Sequence, residues 1–290
     1  MAIGNSLTTR KTSKSTFSTF MTSDAVKNKI NQMIAGKDGN KFITSIISLV
    51  SNNPAIAECE HSTILASALL GESLKLSPSP QLGQYYIVPF KENNKDGSLK
   101  RIVAQFQIGY KGYIQLAIRS GYYKKMNVLS IKDGELVKYN PLDETIEADL
   151  IEDEEKRENT ATIGYYAMFE YQNGFTKTIY WSKAKMEAHA KKYSQAYRTD
   201  LKRNWKYSFW SKDFDAMAYK TMLRQLISKW GIMSVEFQTA VTKDMAVLND
   251  IESQPQYVDN IGEETIIEAE VNNMEESKDT QNDPFAFENE

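Results

Sequence analysis

The spacing of the apolar residues changes twice along the chain, and each change limits what the next segment can become. From Val26 to Leu74 they recur every three to four residues, from Gln84 to Ile108 every two, and after Gly109 every three to four again. Helices must therefore come before and after a pair of strands. Ser23–Asp24 caps a first helix over Val26, Ile30, Met33 and Ile34 that ends at Gly36. A second covers Lys41–Ser51, with Phe42, Ile46, Leu49 and Val50 inward, and Asn53–Pro54 stops it; a third runs near Ser62–Leu74. Strands over Gln84–Phe90 and Lys100–Ile108 are joined through Asp96–Gly97 as a hairpin turn. In the second strand Ile102, Ala104, Phe106 and Ile108 point one way while Val103, Gln105 and Gln107 point the other, which predicts a displayed, half-polar face.

The helix after Gly109 carries the stripe Tyr110, Tyr113, Ile114, Ala117 and Ile118, ends at Gly121, and holds Lys111, Gln115 and Arg119 along one side. A strand over Tyr122–Ile131 then turns at "KDGE" into Leu136–Tyr139, and the acidic stretch Asp143–Asn159 reads as a long loop. Thr162–Tyr171 and Phe175–Ser182 form a hairpin with a type I′ turn at Asn173–Gly174. Helices follow near Ser182–Ala196 and Lys212–Trp230, the second closed by Gly231. The organisation expected is a flexible segment over 1–22, a core over 23–248 and a disordered acidic tail over 249–290.

The net charge of −3 hides a strong segregation. Residues 1–50 sum to +5, residues 81–131 to +6 and residues 175–232 to +9, whereas residues 141–160 sum to −7 and residues 250–290 to −12. A basic body with an acidic tail suits a polyanion partner.

Several function classes are disfavoured. No apolar run reaches membrane-span length, and the N-terminus lacks a signal-peptide core. One cysteine, Cys59, points to a reducing, cytoplasmic setting. No G-x-x-x-x-G-K-[ST] loop cradles a nucleotide. Two histidines, His61 and His189, and one cysteine cannot build an ordinary zinc site. His61 starts a helix, and His189, among lysines, is a surface or phosphate-facing residue. Asp213 and Asp215 suit a helix N-terminus better than a metal. No catalytic residue and no metal ligand is expected; a nuclease using these acids is the distant alternative.

What remains is a mixture of cations and rings. "GYKGYIQLAIRSGYYKK", "WSKAKMEAHAKKYSQAYRTDLKRNWKYSFW" and "AYKTMLRQLISKWG" each combine them. Single-stranded nucleic acid needs cations for its phosphates and flat rings for its bases. Glycine admits a backbone closely, and a helix N-terminus offers N–H groups to a phosphate. The candidate interface is Tyr110, Lys111, Gly112, Arg119, Lys124, Lys183, Lys185, Lys191, Lys192, Arg203, Trp205, Lys220 and Arg224, with Gln105 and Gln107 on the polar strand face. Tyr113, Ile114 and Ala117 read as core, as do Leu223, Leu226, Ile227 and Trp230, and at least one of Trp205, Phe209 and Trp210 should be buried.

The blocks "QYYIVPF", "AQFQIGYKGYIQLAIRSG", "GYYAMFEYQNGFTKTIYWSKAKMEAHAKKYS" and "WSKDFDAMAYKTMLRQLISKWG" resemble, in order, those of the RecT family of phage single-strand DNA annealing proteins, over about residues 25–248. The resemblance implies an α+β core, in which a small antiparallel sheet of hairpins and helices forms a DNA groove lined by the "GYKG" residues, Arg119 and the last-helix bases. It implies ATP-independent binding and annealing of single-stranded DNA in phage recombination, a homo-oligomeric ring or filament, and no cofactor; assistance by Mg²⁺ stays open. It also implies a phage exonuclease partner in the bacterial cytoplasm. The tail end "NDPFAFENE" is similar to the tip of bacterial single-strand binding proteins, which adds the host protein of that kind as a partner. A coating protein without annealing activity is the alternative.

Overall fold

The computed structural model describes residues 16–34, 37–94, 98–251 and 254. The expectations placed on residues 1–15, Gly36, Asp96–Gly97 and the tail beyond 254 lie outside them. The fold is α+β with small antiparallel sheets. The chain divides into two compact units, one holding the residues up to Ile108 and the segment from Val247, the other Gly109–Ala246.

The first unit begins with helices α1 (Phe17–Met21), α2 (Asp24–Met33), α3 (Lys37–Ser51), α4 (Pro54–Ala57) and α5 (His61–Ser73). Phe17 and Met21 are buried, so part of the segment expected to be flexible is folded. Strands β1 (Tyr85–Asn93) and β2 (Leu99–Ile108) pair antiparallel, Tyr85 opposite Ile108. Helix α5 is buried on every side from Thr63 to Gly71, not on one stripe. Its two hydroxyls make this possible: the Ala104 N–H donates to Thr63 Oγ1 at 2.9 Å, and Ser67 Oγ donates to the Ala104 carbonyl at 3.4 Å. Gly71 is required there, because a Cβ would stand 2.3 Å from the Tyr85 ring.

Strand β2 corrects the sequence reading. Residues 103–108 are buried on both faces, so no half-polar face is displayed. Gln107 Nε2 donates to Gln105 Oε1 at 2.6 Å in the interior. The period-two pattern was real, but alternation distinguishes faces and does not say which face is covered.

The second unit starts with α6 (Tyr110–Ser120), with Gly109 as N-cap and Gly121, at φ 74°, as C-cap. It buries Gly112, Tyr113, Leu116 and Ala117, whereas Ile118, expected on the stripe, is 59% exposed. Strands β3 (Tyr123–Lys132), β4 (Leu136–Asn140) and β5 (Thr145–Ala148) precede α7 (Glu154–Asn159), β6 (Thr162–Tyr171) and β7 (Thr176–Ser182). The sheet order is β3-β6-β7, and β4-β5 form a separate ribbon. The acidic stretch is therefore a strand and a helix, not a long loop. A buried carboxylate organises it: Arg157 Nε donates to Glu135 Oε1 at 2.6 Å, and Arg157 Nη2 donates to the Ser130 carbonyl at 2.8 Å. The β6–β7 turn also differs. Gly174 is at φ 87° but Asn173 is not left-handed, and the Gly174 N–H donates to the Tyr171 carbonyl at 3.0 Å. This is the three-residue loop of a type I turn with a glycine bulge, not a type I′ turn.

The single helix expected after β7 is two, α8 (Lys183–Tyr193) and α9 (Gln195–Arg203). Ser194 separates them by capping the second, accepting from the Tyr197 N–H at 3.1 Å. Then come α10 (Phe209–Lys212), α11 (Phe214–Trp230) and α12 (Val235–Lys243). Helix α11 packs across β3, β6 and β7, α8 lies on β6 and β7, and α6 touches α11 and β3. Strand β8 (Ala246–Val247) leads the chain back to the first unit as the third strand of the β1-β2 sheet.

Candidate nucleic-acid interface

The second unit assembles cations and rings around α8. Ser182 starts the helix, its Oγ accepting from the Lys185 N–H at 3.2 Å. Lys185, His189 and Tyr193 then follow at intervals of four and share a face. Lys185 Nζ stands 4.4 Å from the centre of the Trp181 ring. The His189 ring is edge-on to Trp181 at 5.5 Å and tilted to Tyr193 at 4.5 Å. Lys192 Nζ lies 4.9 Å from the Tyr193 ring centre. At the end of α8, Arg198 Nη1 donates to the Lys191 and Lys192 carbonyls at 2.9 and 2.7 Å, closing the helix with a positive charge where its dipole is negative.

Arg224 of α11 lines the same cavity as His189 and Tyr193. Burial and then the neighbouring cations Arg224 and Lys192 hold the His189 pKa down at about 4, so the imidazole is neutral at neutral pH. His189, Tyr193, Trp210, Lys220, Arg224 and Met245 are among the walls of a cavity of about 50 Å³.

Lys220 has another role from the one its spacing suggests. It is 5% exposed, and its Nζ donates to Asp244 Oδ1 at 2.9 Å while Tyr113 Oη donates to Asp244 Oδ2 at 3.1 Å. Burial presses its pKa below the ordinary lysine value, and Asp244 opposes that. It is a buried ion pair, unavailable to a strand in this conformation. Gln105, Gln107 and Gly112 are likewise buried. Gly112 lies buried within α6 and presents no open surface to a backbone.

The remaining candidates divide by surroundings. Lys111 and Arg119 are exposed on α6, the Arg119 Nε donating to the Gln115 carbonyl at 3.3 Å. Tyr110 is half-buried and edge-on to Tyr219 of α11 at 5.5 Å, so α6 is joined to α11 through rings. Lys124 Nζ is 2.6 Å from Glu170 Oε1, whose pKa the hydrogen bond from Lys124 lowers. Lys191 pairs with Glu187 at 3.5 Å, and Lys183 is half-buried. The Arg203 guanidinium packs 4.7 Å from the ring centre of Trp205, which is half exposed and edge-on to the exposed Tyr207 at 5.4 Å. Trp210 is the buried member of its segment. Trp230, expected in the core, is 43% exposed with Lys177 Nζ 3.8 Å from its ring centre.

Lys192 and Arg224 come together beside His189, and Lys185 lies over the neighbouring Trp181 ring. Trp181 and Tyr193 belong to the same face and were not among the expected residues. The signal for the two rings was present, because a helical period applies to rings and cations as well as to aliphatics. Asp213 and Asp215 are used internally: the Ala216 N–H donates to Asp213 Oδ1 at 3.0 Å, and Tyr165 Oη donates to Asp215 Oδ1 at 2.6 Å. Among the described residues no group of three or more His, Cys, Asp or Glu could hold a metal, and no helix is long and apolar enough to cross a membrane.

The chain is 39% identical over 255 residues to the uncharacterized protein YqaK of Bacillus subtilis, covering 87% of this chain and 80% of that one. It is 28% identical over 192 residues to the protein RecT of Escherichia coli, covering 66% and 65% respectively. The sequence pattern of the RecT family matches residues 40–259, so α4 to β8, with the whole cation–ring face, lie inside the matched region, and the chain belongs to the RecT family.

Proposed function

We propose that the protein binds single-stranded DNA and anneals complementary strands without ATP in recombination. RecT family membership supports a role in recombination or annealing. The observation that carries the finer reading is the convergence of Lys185, Lys192 and Arg224 with the rings of Trp181, His189 and Tyr193 on one face. Cations beside flat rings suit a strand held by its phosphates and steadied by stacking, without reading sequence.

Held this way, a strand cannot fold on itself and keeps base edges available for a partner. Pairing is downhill by about 1.4 kcal/mol per stacked step, so no fuel is consumed. Copies of the chain in a ring or filament extend the strand, and weak adjoining sites reinforce one another through effective concentration. The acidic tail, a phage exonuclease and the host single-strand binding protein complete the proposed setting.

The test mixes complementary labelled strands with and without protein, in the absence of nucleotide triphosphate. Faster pairing than in the protein-free control is expected. Slower pairing identifies a coat, and an absolute requirement for ATP overturns the reading.

A further inference from the structure

The cavity between α8 and α11 has contents that a generally basic surface does not explain. Its walls come from four segments: the end of α8, Trp210 of α10, the middle of α11, and Met245. Among the described residues, two basic side chains, Lys220 and Arg224, line it, and no Asp or Glu does. The carboxylate on Lys220 is Asp244, already engaged by Lys220 and Tyr113. Trp210, Tyr193 and the methionines 217 and 245 supply apolar wall. At about 50 Å³, where one water needs roughly 10–15 Å³, the space admits a small group of a few heavy atoms and not a stacked base.

We propose that this cavity receives a single phosphate group of a nucleic-acid strand, with the Arg224 guanidinium as its main partner and the His189 imidazole and Gln225 amide as further donors. A guanidinium matches two phosphate oxygens at once, and the apolar wall keeps water from weakening the pair. This deepens the reading of the same face as a strand-binding surface. It makes one phosphate different from the rest: enclosed, less screened by salt, and coupled to His189. The phosphate is either an internal diester or the monoester at a strand end.

The chain contains only two histidines, so the imidazole of His189 can be followed by NMR beside His61 as an internal control, with His189→Gln for assignment. Inorganic phosphate is titrated in at constant ionic strength against chloride. The expected result is a saturable shift of His189 alone and a rise in its titration midpoint, because a neighbouring anion favours the imidazolium. In Arg224→Gln the apparent phosphate affinity falls about 10- to 100-fold, whereas Arg224→Lys retains part of it. Thermal melts of both variants verify folding. A His189 that does not respond, or responds equally to chloride, overturns the site.

Oligothymidylates with a 5′-phosphate or a 5′-hydroxyl are then competed against phosphate, with strand binding followed in parallel by anisotropy. Displacement by the phosphorylated strand alone assigns the cavity to a strand end; equal displacement assigns it to internal diesters. A strand that binds without displacing phosphate overturns the cavity's role in strand binding and leaves annealing intact. A strand that fails to bind at all overturns the functional reading and leaves the phosphate site standing on its inorganic titration.

Discussion

Helices α6 and α11 each carry two basic side chains on one face, Lys111 and Arg119 on the first and Lys220 and Arg224 on the second, yet the pairs meet opposite fates. On α6 both are exposed. On α11, Lys220 is buried against Asp244 and Arg224 is half-buried beside His189. Spacing of four tells which residues are neighbours on a helix, while the element packed above decides whether that neighbourhood meets water. The segment carrying Asp244 comes from beyond α12, twenty-four residues after Lys220. Nothing local in α11 announces it.

The contrast can be broken most forcefully at Asp244. Asp244→Asn leaves Lys220 buried beside a neutral group and should cost about 3–5 kcal/mol in chemical denaturation. Replacing both partners, Lys220→Met with Asp244→Leu, should recover much of that loss. If the single substitution is tolerated within the error of the measurement, Lys220 is not held as described and returns to the list of strand contacts.

The next effect is on strand binding. Arg224→Gln should weaken single-stranded DNA binding about 10- to 100-fold, the loss of one charge-assisted contact in a partly enclosed site. Lys111→Ala should weaken it less and lower the logarithmic salt slope by about 0.7, as for one exposed phosphate contact. Equal losses in the two would erase the distinction between α6 and α11.

A smaller effect concerns pH. His189 has a folded pKa of about 4, below its ordinary value near 6.5, so the unfolded chain binds the proton more readily. Its contribution to stability is complete above pH 6.5 and is lost as pH falls toward 4. His189→Phe should flatten the pH dependence of unfolding in that window; an unchanged profile would show that another group governs it. Smallest of all, Lys124→Ala should leave the unfolding midpoint nearly unchanged, because its pair with Glu170 is at the surface; a clear drop in that midpoint would show that the pair is not a solvent-screened one.

The elements themselves were largely readable. The helix at Gly109 starts and stops where the glycines place it, and β6 was anticipated from Thr162 to Tyr171. What escaped reading was local competition and tertiary cover. Ser194 could continue a helix or cap a new one, and its neighbours did not decide between them. The acidic run looked like solvated loop until Glu135 and Arg157 folded it, twenty-two residues apart. On the candidate face, the company of rings points to Lys185, Lys192 and Arg224, and the same helical spacing adds Trp181 and Tyr193, whose rings flank His189. Gln105 and Gln107 were misplaced because alternation on β2 distinguishes two faces without saying that both are covered.

From the sequence alone came the order of helices and strands, the separation of a basic body from an acidic tail, and the placing of cations and aromatic rings in the same segments. These depend on spacing and composition, which act over a few residues or over the whole charge of the chain. Which cations are exposed and which are buried was decided only in three dimensions. Burial is set by what lies above a residue, and for Lys220 that cover includes Asp244, twenty-four residues further along the chain.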